Sequence, residues 1–287
     1  MSQSTTLHEP WGFIFRKTGR HLPDSLFIRL HYLAFWGYLP HLRHPRTMNE
    51  IISSLMLYDR RPIGSVMVDK VRAKEYVKNI IGEQYIIPNL GVWEKAADID
   101  FDALPEMFIL KCSHDSGSAI ICRDKSQMDF DEVRRSLQKA LDTDFYKSNS
   151  REWNYKDVPR RILAEPLLNP DGSHMDDWRF FCTGGEPRFV YVSTAGHINF
   201  LSLDWQFLPA ARTDYPPQDT LPEKPSRFDE MLEISRAFSK DYPFVRVDLY
   251  QVGEQVLFSE LTLSPSGGLM PLETRQQDEL LGKLLEF

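Results

Sequence analysis

Apolar residues recur at helical spacing in several stretches of this chain and alternate at strand spacing in others. Leu26, Phe27, Leu30, Leu33 and Phe35 form a broad stripe, for which Asp24 is the expected cap. Thr47, Met48, Asn49 and Glu50 have capping-box spacing, and Ile51, Ile52, Leu55 and Met56 continue as a second helix. Asp69 is the expected cap of a third, which carries Val71, Val77, Ile80 and Ile81 and stops at Gly82. Further helices are expected over Phe130 to Leu141, Phe228 to Phe238 and Gln277 to Leu285. Tyr85 to Ile87, Met107 to Cys112 and Arg161 to Leu167 read as short strands. Trp178 to Cys182 and Pro187 to Ser193 flank Thr183-Gly184-Gly185-Glu186 as a hairpin. Phe244 to Tyr250 and Gln255 to Leu261 form a second around Val252-Gly253-Glu254. Between Asp204 and Pro225 five prolines exclude regular structure, so an exposed excursion is expected there.

Composition narrows the class. At 287 residues, 42% hydrophobic and 12% aromatic, the chain is a folded globular protein with a prior of two domains or one large one. Thirty-four Lys and Arg against 41 Asp and Glu leave a net charge of −7, which argues against nucleic-acid binding. Cys112, Cys122 and Cys182 show neither a disulfide framework nor zinc-ligand spacing, as expected of a cytoplasmic protein. Met1 to Pro10 lacks the layout of a signal peptide, so export is not expected. The longest apolar stretch, Tyr32 to Pro40, falls short of the roughly 20 residues that span a bilayer. Charge is unevenly placed, with residues 1–50 at +3 and the remainder at −10. The aromatic helices of this basic preface either pack on the body or touch a membrane surface peripherally; the first is the plainer reading.

Two stretches carry candidate chemistry. Arg246 and Asp248 share one face of their strand, and Glu260 and Thr262 share one face of theirs. If these faces coincide, two carboxylates on rigid strands form a hard oxygen site suited to Mg²⁺, with Arg246 near a transferring phosphoryl group. A sheet with one solvated face gives the same alternation, and by spacing alone that is the simpler account. The second stretch is the strand Phe108 to Lys111 leading into Ser113-His114-Asp115-Ser116-Gly117-Ser118. A small polar loop beside a strand-end lysine suits phosphate oxygens; it equally describes a hairpin turn with a snorkelling lysine.

In order along the chain, these segments resemble the TupA-like ATP-grasp family, linked to teichuronopeptide and other surface-polysaccharide synthesis. The likeness runs from Pro45-Arg46-Thr47-Met48-Asn49-Glu50 and Leu57 to Pro62, through Val68-Asp69-Lys70, Ile87 to Val92, Phe108 to His114 with Ser116-Gly117, Arg161 to Glu165 and Asp177 to Cys182. It ends in Phe244 to Tyr250 and Glu260-Leu261-Thr262. The resemblance implies an α+β ATP-grasp fold, two lobes clasping ATP, with a short N-terminal helical extension. Its divisions fall at 1–62 (the extension), 63–160 (the N-terminal lobes with the phosphate loop) and 161–287 (the C-terminal lobe with the metal site).

By the same resemblance, Lys70 and Lys111 address the ATP phosphates. Ser116 and Gly117 lie in the loop that closes over them, and Glu165 and Leu167 lie in the hinge that reads adenine through its backbone. Arg179 faces the nucleotide, Arg246 stabilises the phosphoryl transition state with Lys111 beside it, and Asp248 and Glu260 bind Mg²⁺. Thr262 stands where many relatives have asparagine, and Pro166 removes one hinge N–H.

The activity implied is an ATP-dependent carboxylate-amine ligase working through an acyl phosphate. Its partners are an amine donor and a carboxylate-bearing glycan or nucleotide-sugar acceptor. Alternatives are a glycosyltransferase, an ATP-grasp kinase and a non-catalytic adaptor. The Asp-x-Asp spacings at Asp98, Asp100 and Asp102 lie in a polar run before Leu104-Pro105, which reads as a solvated loop.

Overall fold

Alternation of side chains along two antiparallel sheets decides what each face of the molecule meets. The computed structural model describes residues 19–169 and 175–287. Met1 to Pro10, and Arg16 and Lys17 of the basic segment, lie outside the described residues. The smaller sheet has the order β1-β4-β2-β3, from β1 (Gly91–Trp93), β2 (Phe108–Cys112), β3 (Ile120–Cys122) and β4 (Ile162–Pro166). The larger has the order β7-β6-β5-β8-β9, from β5 (Asp177–Thr183), β6 (Glu186–Thr194), β7 (His197–Leu201), β8 (Val245–Val252) and β9 (Gln255–Thr262). The β5–β6 hairpin turns at Gly184 and Gly185, with φ of 60° and 86°, a left-handed pair that glycine adopts without strain.

Eight α-helices cover these sheets among the described residues: α1 (Asp24–Trp36), α2 (Met48–Tyr58), α3 (Ile63–Met67), α4 (Arg72–Ile81), α5 (Phe130–Asp142), α6 (Phe145–Ser148), α7 (Phe228–Ser239) and α8 (Arg275–Leu284). The fold is α+β. On the smaller sheet, Phe108, Leu110, Cys112, Ile162 and Ala164 pack against Val133, Leu137 and Leu141 of α5. Their strand neighbours Lys111 and Glu165 therefore face the opposite way. On the larger sheet, Phe180, Val190, Val245 and Val247 share a core with Ala73 and Val77 on α4 and with Met231 and Phe238 on α7. The other face is divided. Phe181, Phe189, Tyr191, Phe200 and Phe244 are covered by α1, α2 and α8, whereas Arg179, Arg246, Asp248, Glu260 and Thr262 form its polar half.

The N-terminal helices differ from expectation in detail. Asp24 opens α1 but does not cap it, because Pro23 holds the cap position. Its carboxylate instead accepts from the Tyr146 hydroxyl at 2.6 Å and lies 3.7 Å from Arg60. The buried face of α1 is Phe27, Ile28, His31 and Tyr32, with Leu26 and Leu33 exposed. The large rings set this rotation, since Phe27 and Tyr32 are fully enclosed. In α2, Thr47 Oγ1 accepts the Glu50 N–H at 3.1 Å as expected. The Glu50 carboxylate takes the N–H groups of His41 at 3.0 Å and Arg46 at 2.8 Å. Asp69 accepts from Val71 and Arg72 at 2.9 and 3.3 Å, and its other oxygen pairs with Arg161 at 2.6 Å. Tyr85 to Ile87 is not a strand. Glu83–Tyr85 forms a 3₁₀ turn, and Ile86 alone bridges to Phe258. Pro88, which lacks an N–H, follows at once and leaves no room for a ladder. The proline-rich excursion is irregular, as expected, but β7 precedes it on the sheet edge.

Two stability predictions follow from the contact of α2 with α8. A Cβ placed on Gly282 of α8 comes within 2.8 Å of backbone atoms of Arg46, Thr47 and Met48. Backbone cannot move aside as a side-chain tip does. Gly282→Ala is therefore expected to lower stability by about 1–3 kcal/mol in denaturant unfolding, although alanine by itself favours a helix by ~1 kcal/mol. Asp278, fully buried in α8, accepts the Asn49 N–H at 3.0 Å. Burial outweighs this hydrogen bond and raises its carboxyl from 3.8 to about 6. The folded state thus favours the protonated form, so its stabilising contribution is full below pH about 4 and lost as pH rises through about 6. Asp278→Asn should flatten stability over this window in urea melts, and an unchanged pH profile would count against the assignment.

Candidate active site

Cross-strand register assembles the polar half of the larger sheet. Arg179 on β5 pairs with Asp248 on β8, and Asp248 pairs with Glu260 on β9. One step along, Arg246 pairs with Thr262. A bulge after Asp248 shifts the rest of the hairpin but leaves these pairs directly opposite. The Arg246 guanidinium spans Asp248 through Nε at 2.7 Å and Nη2 at 2.5 Å. The same Nη2 reaches Glu260 Oε1 at 2.8 Å and Thr262 Oγ1 at 2.9 Å. Thr262 also donates to Glu260 at 2.8 Å. Arg179 is held by Asp177 at 2.5 Å and lies 3.6 Å from Asp248.

The two acids differ in setting. Asp248 keeps 2% of its side chain exposed and Glu260 keeps 41%, so Glu260 is the one that opens on solvent. Burial pushes the Asp248 carboxyl well above its usual range against the pull of Arg246, and Glu260 adds to the rise. For Glu260 burial is outweighed by Arg246, Lys70 and Arg179, which hold it down at about 2. Lys70 sits just before α4, on the side of the smaller sheet, so this attraction crosses between the two halves of the site.

The smaller sheet supplies cations. Lys70 donates to the Asp115 carbonyl. Burial lowers its pKa, opposed by Glu260 and Asp115 and assisted by Lys111. Lys111 pairs with Glu165 at 2.6 Å, and Lys74 with the other oxygen of Glu165 at 2.5 Å. These two lysines overcome burial and keep the Glu165 carboxyl below its usual range. The loop after β2 is braced by Ser118, which accepts the Cys112 N–H at 2.8 Å and donates to Asp115 at 2.6 Å. Ser116 and Gly117 form its exposed tip. Gly117 has a φ of 99° and nothing near its Cα hydrogens, which leaves backbone N–H groups approachable. Leu167 follows β4 where the chain leaves the smaller sheet.

The expected residues fall in two groups: Lys70, Lys111, Ser116, Gly117 and Glu165 on or beside the smaller sheet, with Leu167 just past it, and Arg179, Arg246, Asp248, Glu260 and Thr262 on the larger. Lys74 and Asp177 join them without having been expected, through Glu165 and Arg179. For Asp177 the signal was its same-face position two before Arg179; Lys70 lies outside the helix that carries Lys74, so helical spacing gave no signal there.

The donor set is of the kind magnesium takes, two carboxylates (Asp248 and Glu260) and the Thr262 hydroxyl; all three also accept from Arg246 Nη2, within 2.9 Å, so a metal would share these oxygens with the guanidinium. Mg²⁺ asks for one or two protein carboxylates and takes its remaining oxygens from water and phosphate. Among the described residues no group of three or more His, Cys, Asp or Glu side chains forms a self-sufficient metal cage. The aspartates of the Asp-x-Asp spacings do not gather; Asp100 caps the turn to Asp102 and Ala103.

A two-sheet α+β protein with lysines on or beside one sheet and an Arg-Asp-Glu row on the other has the parts of a nucleotide-phosphate cleft. The family model described as TupA-like ATPgrasp matches residues 50–286, and the chain belongs to that family. No curated protein matches the sequence. Among solved structures, D-alanine-D-alanine ligase from Helicobacter pylori aligns at 15% identity and a TM-score of 0.48, over 83% of this chain and 68% of that one. D-alanine-D-alanine ligase from Bacillus anthracis, complexed with ATP, aligns at 13% identity and a TM-score of 0.39, over 75% and 55%. The ATP-grasp ligase PsnB, complexed with a phosphomimetic variant of minimal precursor, Mg and ADP, aligns at 11% identity and 0.41, over 83% and 65%. The chain thus spans between just over half and about two thirds of the length of these ligases. Family membership rests on the sequence match. Among the described residues, no helix is long and apolar enough to cross a membrane.

Proposed function

We propose that this protein is an ATP-dependent carboxylate-amine ligase of the cytoplasm, joining an amino compound to a uronic acid of a cell-surface polysaccharide or its precursor. A carboxylate is a poor electrophile at neutral pH. Moving the γ-phosphoryl of ATP onto it gives an acyl phosphate that an amine can attack, with ADP and phosphate as the other products. Such a reaction calls mainly for positioning and charge neutralisation. The observation that carries this reading is Arg246 seated between two carboxylates, Asp248 at 2.5 Å and Glu260 at 2.8 Å. Lys70, Lys111 and the loop tip at Ser116 and Gly117 bind phosphate oxygens, Arg179 faces the nucleotide, and Arg246 meets the transferred phosphoryl and the acyl group it joins. Asp248, Glu260 and Thr262 hold Mg²⁺, which when bound neutralises phosphate charge. Glu165 and Leu167 border the adenine. The uronate and the surface-polysaccharide setting follow from the family's association alone.

The test is release of ADP and phosphate with a panel of uronates and amines. Turnover that needs both components, with hydroxylamine trapping an acyl hydroxamate, supports the ligase. A phosphorylated glycan formed without amide would replace it by a kinase. Stabilisation by UDP-sugars but not by ATP in thermal melts would replace it by a glycosyltransferase.

A further inference from the structure

The side chains assigned above bind phosphate, metal and acyl group, and none of them is suited to relieve the incoming amine of a proton. Lys111 and Lys74 are ion-paired with Glu165, Lys70 donates its ammonium to the Asp115 carbonyl, and the arginines are donors only. Glu165, Asp177, Asp248 and Glu260 each pair with a lysine or an arginine. Asp115 bonds the neutral Ser118 but lies in the loop on the phosphate side. Glu152 is different in both respects. Its carboxyl is hydrogen-bonded by two neutral donors, the Ser264 hydroxyl at 2.6 Å and the Asn149 amide at 3.0 Å.

Ser264 lies two residues past Thr262, beyond the end of β9 where the chain turns, and its hydroxyl ties Glu152 to that turn. The backbone beyond is drawn against it. Ser266, Gly267 and Gly268 have φ of 53°, 59° and 72°, and a Cβ on Gly267 would stand 3.6 Å from Glu152 Oε1 and overlap Ser150. A Cβ on Gly268 would overlap Ser53 of α2. The close approach these glycines permit is therefore to the chain's own Ser150 and Ser53. Ser266 at the apex is exposed, whereas Glu152 is buried, 6% exposed, beside the turn.

We propose that Glu152 is the general base that receives the proton of the attacking amine. The inference rests on the ligase reading. The ammonium gives a proton to the Glu152 carboxylate, and the freed nitrogen lone pair forms the bond to the acyl carbon. The carbon–oxygen bond to phosphate then breaks, inorganic phosphate leaves, and the second nitrogen proton passes to phosphate or water. Burial, chiefly, raises the Glu152 carboxyl to about 7, with Ser264, Asn149 and Arg246 opposing and Glu260 adding. A base poised near the working pH is the effective one.

The test compares Glu152→Gln with the wild type on two nucleophiles: an amino compound that is protonated at neutral pH, and hydroxylamine, which is not. Glu152→Gln is expected to lose at least about 100-fold in amide formation. It should retain ATP affinity and, within a few-fold, hydroxamate formation. The wild-type rate of amide formation should fall as pH drops through about 7, and the variant should lose that limb. Ser264→Ala, which removes a hydrogen bond but keeps the carboxylate, should retain more than a tenth of the activity. Equal losses with both nucleophiles, a loss in Ser264→Ala as large as in Glu152→Gln, or undiminished amide formation would each overturn the proposal. A wild type that forms no hydroxamate from any uronate would instead remove the ligase reading and this inference with it.

Discussion

Asp248→Asn is expected to reduce ADP formation by at least about 100- to 1,000-fold while leaving the fold intact. The substitution keeps the shape of the side chain and an oxygen that accepts from Arg246, and it removes the charge that a hard divalent ion requires. Two features argue that the protein survives it. Arg246 retains Glu260 at 2.8 Å, and Arg179 retains Asp177 at 2.5 Å, so each buried guanidinium keeps an anionic partner. Burial raises the Asp248 carboxyl above its usual range against the pull of Arg246, so losing its charge costs the fold less than losing that of a solvated partner. Thermal melts should therefore differ little from wild type while a coupled ADP assay at saturating magnesium falls to background. A variant that keeps more than a tenth of wild-type turnover would dismiss Asp248 as a metal ligand.

Phe181→Ala is expected to cost about 3–5 kcal/mol in unfolding free energy. Phe181 has no exposed surface; its ring stacks on Phe189 at 4.6 Å and meets Phe244 edge-on at 6.1 Å. It stands on the polar row's own face of the sheet, between the apolar half and Arg246, its partner in register across the strand. Truncation opens a cavity beside that guanidinium, so turnover should also fall at temperatures well below the melting point. Phe181→Leu, which fills most of the volume, should restore the greater part of both. If Phe181→Ala melts with the wild type, the apolar half of this face is not what supports the row.

Where physical cause lies within a few residues, the chain was legible. The Thr47 cap, the glycine turn at Gly184-Gly185 and the alternation of Arg246 with Asp248 and of Glu260 with Thr262 all act over two to four positions. The stripe on α1 was less so, because its five apolar positions fit more than one helical face and the enclosed rings of Phe27 and Tyr32 chose between them. Tyr85 to Ile87 had strand composition but no partner beyond one bridge. The short strands β1 and β7 had partners but too few residues to show a period.

The sequence by itself determined that this is an α+β protein, which local stretches are helix or hairpin, and that two basic and two acidic positions lie on strands or beside loops. Only the tertiary structure decided that Lys70, near one sheet, carries a charge that offsets burial against Glu260 of the other, that Lys74 shares Glu165 with Lys111, and that Ser264, just past β9, donates to Glu152. Strand alternation selects the face on which a side chain stands, but it carries no information about the element that comes to oppose that face. That opposition comes from packing two sheets and their helices together, between residues separated by 54 to 190 positions.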